Sequence, residues 1–138
     1  MIVIDEYLAV RVLGGDWPGG MPDDEDLGLP AGCHWRLLQR VHNPGAGQLS
    51  QLLASLPGDD LDAVRFPHPE VLTVIDPRPL LDHATRLAAR YGGGLLTCET
   101  LAAGMANGRQ LYFGASTNIG RTTNRAAQEL GVDLHVLS

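Results

Sequence analysis

Three acidic residues stand at matching places along this chain. Asp5 ends the apolar run Met1-Ile2-Val3-Ile4. Asp82 falls in the first turn of a predicted helix that follows Val71-Leu72-Thr73-Val74-Ile75, and Glu99 closes Leu95-Leu96-Thr97-Cys98-Glu99. If each apolar run is a strand of one parallel sheet, all three carboxylates reach the same sheet edge. Clustered carboxylates repel one another unless a cation lies between them, so such a group suits Mg²⁺ or Mn²⁺. A metal held there would generate a nucleophilic water and steady charge on a phosphoryl group. Each acid also has an ordinary explanation. Asp82 and Glu99 lie near helix N-termini, where the helix dipole favours negative charge. Asp82 also has Arg86 four residues on, across one helical turn. Asp5 is harder to dismiss, because a charge at the end of a buried strand needs a partner.

A second group surrounds Gly114-Ala115-Ser116-Thr117-Asn118-Ile119-Gly120-Arg121. Its hydroxyls, the amide of Asn118 and the guanidinium of Arg121 suit a phosphate at a helix N-terminus. Helix capping by Thr117 or Asn118 is the alternative. Trp17 and Trp35 could stack on bases. Packing under the acidic loop explains Trp17 equally well, and packing between helices explains Trp35. Cys33 and Cys98 form no CxxC spacing, so they read as two small packed residues rather than a disulfide or zinc site.

The elements that must position these residues follow from the hydrophobic pattern. Residues 1–4 read as a strand, and 6–13 as a short helix stopped by Gly14-Gly15. Residues 16–30, with the run Asp23-Asp24-Glu25-Asp26, read as a solvated loop. Helices over 31–42 and 47–56 form a helical hairpin, and 57–69 is loop. Thereafter strands at 71–75, 95–97, 110–113 and 132–137 alternate with helices at 80–91, 99–106 and 120–130. That alternation predicts an α/β fold with a parallel sheet of four or five strands, helices on both faces and a helical hairpin insert. Ligands bind such sheets at the carboxyl ends of the strands.

With 138 residues, 44% of them hydrophobic, the chain is expected to be one domain over 1–138 with a single packed core. No apolar run is long enough for a membrane span, and the N-terminus lacks the pattern of a signal peptide, so a cytoplasmic protein is expected. The net charge of -6 hides an asymmetry. Residues 1–70 hold 4 Arg against 11 acids, and residues 71–138 hold 6 Arg against 5 acids, with no Lys anywhere. Arg is the better residue for bidentate phosphate contacts, although a codon habit also explains the bias.

Met1-Ile2-Val3-Ile4-Asp5 resembles the first strand and first catalytic acid of PIN domains, the fold of VapC-like toxins. Leu81-Asp82-His83-Ala84-Thr85-Arg86-Leu87-Ala88 resembles the helix carrying the family's third acid. Leu95-Leu96-Thr97-Cys98-Glu99 is similar to the family's fourth acidic motif, and Gly131-Val132-Asp133-Leu134-His135-Val136-Leu137 to its closing strand. The resemblance implies a metal-dependent endoribonuclease toxin of a toxin–antitoxin pair, cutting structured cellular RNA. It further implies Asp5, Asp82 and Glu99 as catalytic metal ligands for Mg²⁺ or Mn²⁺, with Thr97 steadying that acid set. Thr97, Asn118 and Arg121 would face the RNA. A cognate antitoxin and a homodimer are the implied partners, with no membrane. The chain departs from the pattern in two ways. The family's second acid is a glutamate on the helix after the first long loop, yet residues 27–58 contain no Asp or Glu. His34, Gln39, His42 or Glu6 are the substitutes at hand. Glu99 also stands where the family more often has Asp. These gaps leave a second reading open: a catalytically degenerate PIN-like module that binds RNA or protein.

Overall fold

The computed structural model describes all 138 residues. Five short strands form one parallel sheet: β1 (Ile2–Ile4), β2 (Leu27–Pro30), β3 (Thr73–Ile75), β4 (Gln110–Phe113) and β5 (Asp133–Val136), in the order β3-β2-β1-β4-β5. Helices α1 (Glu6–Leu13), α2 (Ala31–His42), α3 (Gln48–Ala54) and α4 (Gly58–Arg65) pack on one face. Helices α5 (Leu81–Tyr91), α6 (Leu95–Ala106) and α7 (Arg121–Leu130) pack on the other. The period-2 alternation of β1 explains the division. Ile2 and Ile4 join the core with Leu8, Leu29 and Leu37, while Val3 joins the core with Leu101, Leu111 and Ala126. This is the expected α/β class, with helices on both faces. No helix is long and apolar enough to cross a membrane.

The chain winds outward from β1 through β2 to β3, then crosses back to β4 on the other side of β1. The loops after β1 and β4 therefore leave in opposite directions and open a crevice at the carboxyl edge. Asp5 lies at that crevice.

Two elements differ from the sequence-based expectation. Residues 95–97 are the first turn of α6 rather than a strand. Gly92 ends α5 in the left-handed conformation (φ 75°), and Gly94 opens α6 with an extended backbone. Three apolar residues carry no readable period, and the Ala-rich continuation to Ala106 decides for helix. The missing strand is β2, inside the stretch expected to be loop. Its four residues are all buried, between β3 and β1 in the sheet. Helix α4 also replaces expected loop. Val64 anchors it in the core, and Asp59 and Asp60 in its first turn complement its dipole.

Candidate functional site

Asp5 ends β1 and caps α1. Its Oδ1 accepts hydrogen bonds from the backbone N–H groups of Leu8 (2.9 Å) and Gly114 (3.0 Å), and its Oδ2 accepts one from the Asn118 amide (3.0 Å). Gly114 is required for this approach, since a Cβ there would lie 2.8 Å from Tyr7 Cβ and 3.0 Å from Leu8 N. Despite these three donors the Asp5 carboxyl is pushed up to about 7, chiefly by burial and further by the charge of Glu6.

Glu6 has a fully buried side chain. Its Oε1 receives the Arg36 guanidinium at 2.7 Å and the Asn118 amide at 3.3 Å. Its Oε2 is buried with no hydrogen-bond partner. Arg36 reaches across from α2, where it shares a helix face with the buried Cys33 and Leu37, and its Nη1 also donates to Asn118 Oδ1 at 3.3 Å. Asn118 thus ties Asp5, Glu6 and Arg36 together. It comes from a 3-10 turn, Ser116–Asn118, that follows β4. These groups line a cavity of about 50 Å³ with Thr97, Thr100 and Thr123 supplying hydroxyl-bearing walls. Cys33 also lines it, and its thiol is pushed up by burial and by the charge of Glu6.

The three acids expected to converge do not. Asp82 lies in the first turn of α5 with an 88% exposed side chain and pairs with Arg86 Nε at 3.2 Å. The physical reason is topological. Helix α5 follows β3, which stands two strands from β1, roughly 10 Å across the sheet. Glu99 is nearly buried on α6, and its Oε1 accepts a hydrogen bond from Gly32 N at 2.9 Å. Pro30, the N-cap of α2, has no capping side chain, so Glu99 supplies from another helix an acceptor for the open first turn. Gly32 permits this, because a Cβ there would meet Leu96 Cδ1 at 2.7 Å.

The other candidates divide. Thr97 lines the cavity and Asn118 is at its centre. Arg121 is exposed at the start of α7. Capping by Thr117 or Asn118 does not occur, since Gly120 caps α7 with no side-chain hydrogen bond. His34, a suggested substitute for the second acid, instead bonds the Val64 carbonyl at 2.9 Å and ties α2 to α4. Trp35 is 60% exposed, which overturns helix–helix packing for it. With Gln39 it lines two grooves, one of about 480 Å³ shared with Leu95, Leu96 and Glu99 and one of about 420 Å³ shared with Arg40 and His42. Trp17 bonds the Met21 carbonyl at 3.4 Å beside the acidic loop. The residue that sequence reasoning missed is Arg36. Its signal was the acid-free stretch 27–58, which left a basic residue to face Glu6.

No group of three or more His, Cys, Asp or Glu side chains is placed to hold a metal ion. Glu6 is engaged by Arg36, Glu99 by a helix terminus and Asp82 by Arg86. The donor set around Asp5 therefore does not fit the divalent ion that the sequence pattern suggests. No protein-family model matches the chain, and no curated protein matches it.

Proposed function

We propose that the chain is a PIN-like module that binds single-stranded RNA along α2 and does not cut it. One observation carries the reading: where the resemblance expects a metal-binding glutamate on the helix after the first loop, Arg36 reaches the buried acids and neutralises Glu6. The face beside it suits RNA. Beyond Arg36, whose charge Glu6 offsets, helix α2 carries Arg40 and His42 and no acid, although the whole chain has a net charge of -6. Trp35 offers an exposed indole that lines two grooves, and an indole stacks on any base. A basic strip on an acidic protein favours a polyanion over an average protein surface.

Fluorescence anisotropy with a labelled single-stranded RNA, beside a cleavage gel in Mg²⁺ or Mn²⁺, tests this. Binding that weakens with salt, falls about tenfold in Trp35→Ala and leaves the RNA intact is the expected result. Cutting that chelator and Asp5→Asn both abolish would instead favour the second reading, a metal-dependent endoribonuclease toxin, for which an antitoxin partner and a homodimer remain part of the proposal. Asp5 favours that second reading. Asp5 and Glu6 stand side by side as buried carboxyls at the sheet crevice, and paired carboxylates suit a cation between them.

A further inference from the structure

We infer that Arg36 is the resident cation of this site: its guanidinium neutralises Glu6 beside Asp5, and removing its charge turns the cavity into a divalent-cation site. The inference does not depend on RNA being the partner.

The geometry is a closed arrangement. Arg36 Nη1 lies 2.7 Å from Glu6 Oε1 and 3.3 Å from Asn118 Oδ1. The Asn118 amide nitrogen donates to both Glu6 Oε1 and Asp5 Oδ2, which holds the two carboxyl groups side by side. Arg36 is the one basic residue lining the cavity. Its guanidinium cannot give up its proton in a protein, so the positive charge is permanent. A second cation entering the cavity would meet that charge directly and would have to compete for Glu6 Oε1.

A second observation points to a ligand-capable cavity rather than a filled ion pair. Glu6 Oε2 is buried and has no N–H or O–H partner, the weakly donating Cys33 thiol being the one other group that bears on this carboxylate besides Arg36 and Asn118. A lone carboxylate oxygen in such a place costs stability unless a donor or a cation reaches it. The rest of the wall offers oxygen from Asp5, the Asn118 amide and the hydroxyls of Thr97, Thr100 and Thr123, beside Cys33, Leu96 and Phe113. Hard divalent cations take such donors, and the cavity of about 50 Å³ has room for a small ion with little water. With Arg36 present the site carries one fixed positive charge against two carboxyl groups. Without it both acids lose their only basic neighbour in the cavity, and a divalent ion becomes the natural replacement.

An ordinary structural ion pair predicts something different. Removing Arg36 would then only weaken the fold, and metal would not restore it. The test compares the parent with Arg36→Ala, Arg36→Gln and the double variant Arg36→Gln/Glu6→Gln. Calorimetric titration with MnCl₂ reads binding, and thermal melts with and without Mn²⁺ read stabilisation. The parent is expected to show no saturable uptake up to about 1 mM Mn²⁺. Each single variant is expected to bind one ion at least about tenfold more tightly and to melt higher with it, and the double variant to lose both effects. If Arg36→Ala is unfolded without metal, recovery of its native circular dichroism on adding Mn²⁺ supports the inference, and no recovery counts against it. Equal Mn²⁺ affinity in the parent and Arg36→Gln, or a folded Arg36→Gln that binds none, overturns it.

Discussion

Two acid–arginine pairs in this molecule have the same chemistry and opposite consequences. Glu6 and Arg36 meet at 2.7 Å across the fold, with the Glu6 side chain fully buried. Asp82 and Arg86 meet at 3.2 Å on one turn of α5, with side chains 88% and 71% exposed. In the exposed pair water screens both charges and can replace either partner. In the buried pair each charge depends on the other, because the solvent it left is not there to take it back. Spacing made Asp82 look like a site residue. Burial instead puts Glu6 in the cavity wall, and Arg36 with it.

The largest expected effect concerns Asp5, in the buried region. Its folded carboxyl stands near 7 against 3.8 for the free group. With a raised value, the contribution of this group to stability is full below about pH 4, declines as the pH rises toward 7, and is constant above. A displacement of roughly three pH units corresponds to about 4 kcal/mol. The side-chain amide of the Asp5→Asn variant cannot titrate. The stability of Asp5→Asn relative to the parent should therefore rise by about that amount between pH 4 and pH 8. Urea unfolding at a series of pH values measures it. A difference that stays flat across the range would remove the buried, titrating Asp5 from the picture. Glu6→Gln sharpens the point: the charge of Glu6 raises the Asp5 value, so its removal should move the Asp5 titration downward.

Next comes Arg36→Ala. Breaking a fully buried pair costs about 3–5 kcal/mol, and Arg36 is partly exposed, so a loss of about 2–3 kcal/mol is expected at pH 7. Glu6→Gln should cost less. The guanidinium it strands can turn to water, whereas the carboxylate stranded by Arg36→Ala cannot. Denaturation of the two variants under one condition tests the asymmetry, and a larger loss in Glu6→Gln would reverse the account.

How much of this was legible in sequence follows from the range of each signal. The helices over 31–42 and 120–130 carry their period within themselves, the apolar run before Asp5 and the strand at 110–113 stand out between polar and turn residues, and the structure has all four. Leu27–Pro30 holds Gly28 and Pro30, which read as loop, and Leu95–Thr97 shows no period, so the sheet context decides them in opposite senses. Asn118 was singled out for its loop beside a helix start, and Thr97 for its motif, and both line the cavity. Arg36 meets Glu6 thirty positions away in sequence, and only the packing of α2 against α1 and the 3-10 turn after β4 creates that contact. Asp82 failed for the converse reason. Its local position after a strand was read correctly in kind, but β3 is the outer strand on its side of the sheet.

The smallest expected effect lies in the exposed pair, and it decides whether the comparison holds. Asp82→Asn and Arg86→Ala should each change stability by about 0.5 kcal/mol or less. Asp82 also sits in the first turn of α5, where its charge complements the helix dipole, so its removal should cost slightly more than removal of Arg86. Both effects should shrink in high salt, because screening acts on exposed charges first. Arg36→Ala should keep most of its cost under the same salt, since the buried carboxylate is shielded from the ions by protein rather than by water. Thermal melts of the three variants at low and high ionic strength give the ranking. A loss in Asp82→Asn as large as that in Arg36→Ala would mean that Asp82 has a partner beyond Arg86, and the acid expected at the sheet edge would return to the site.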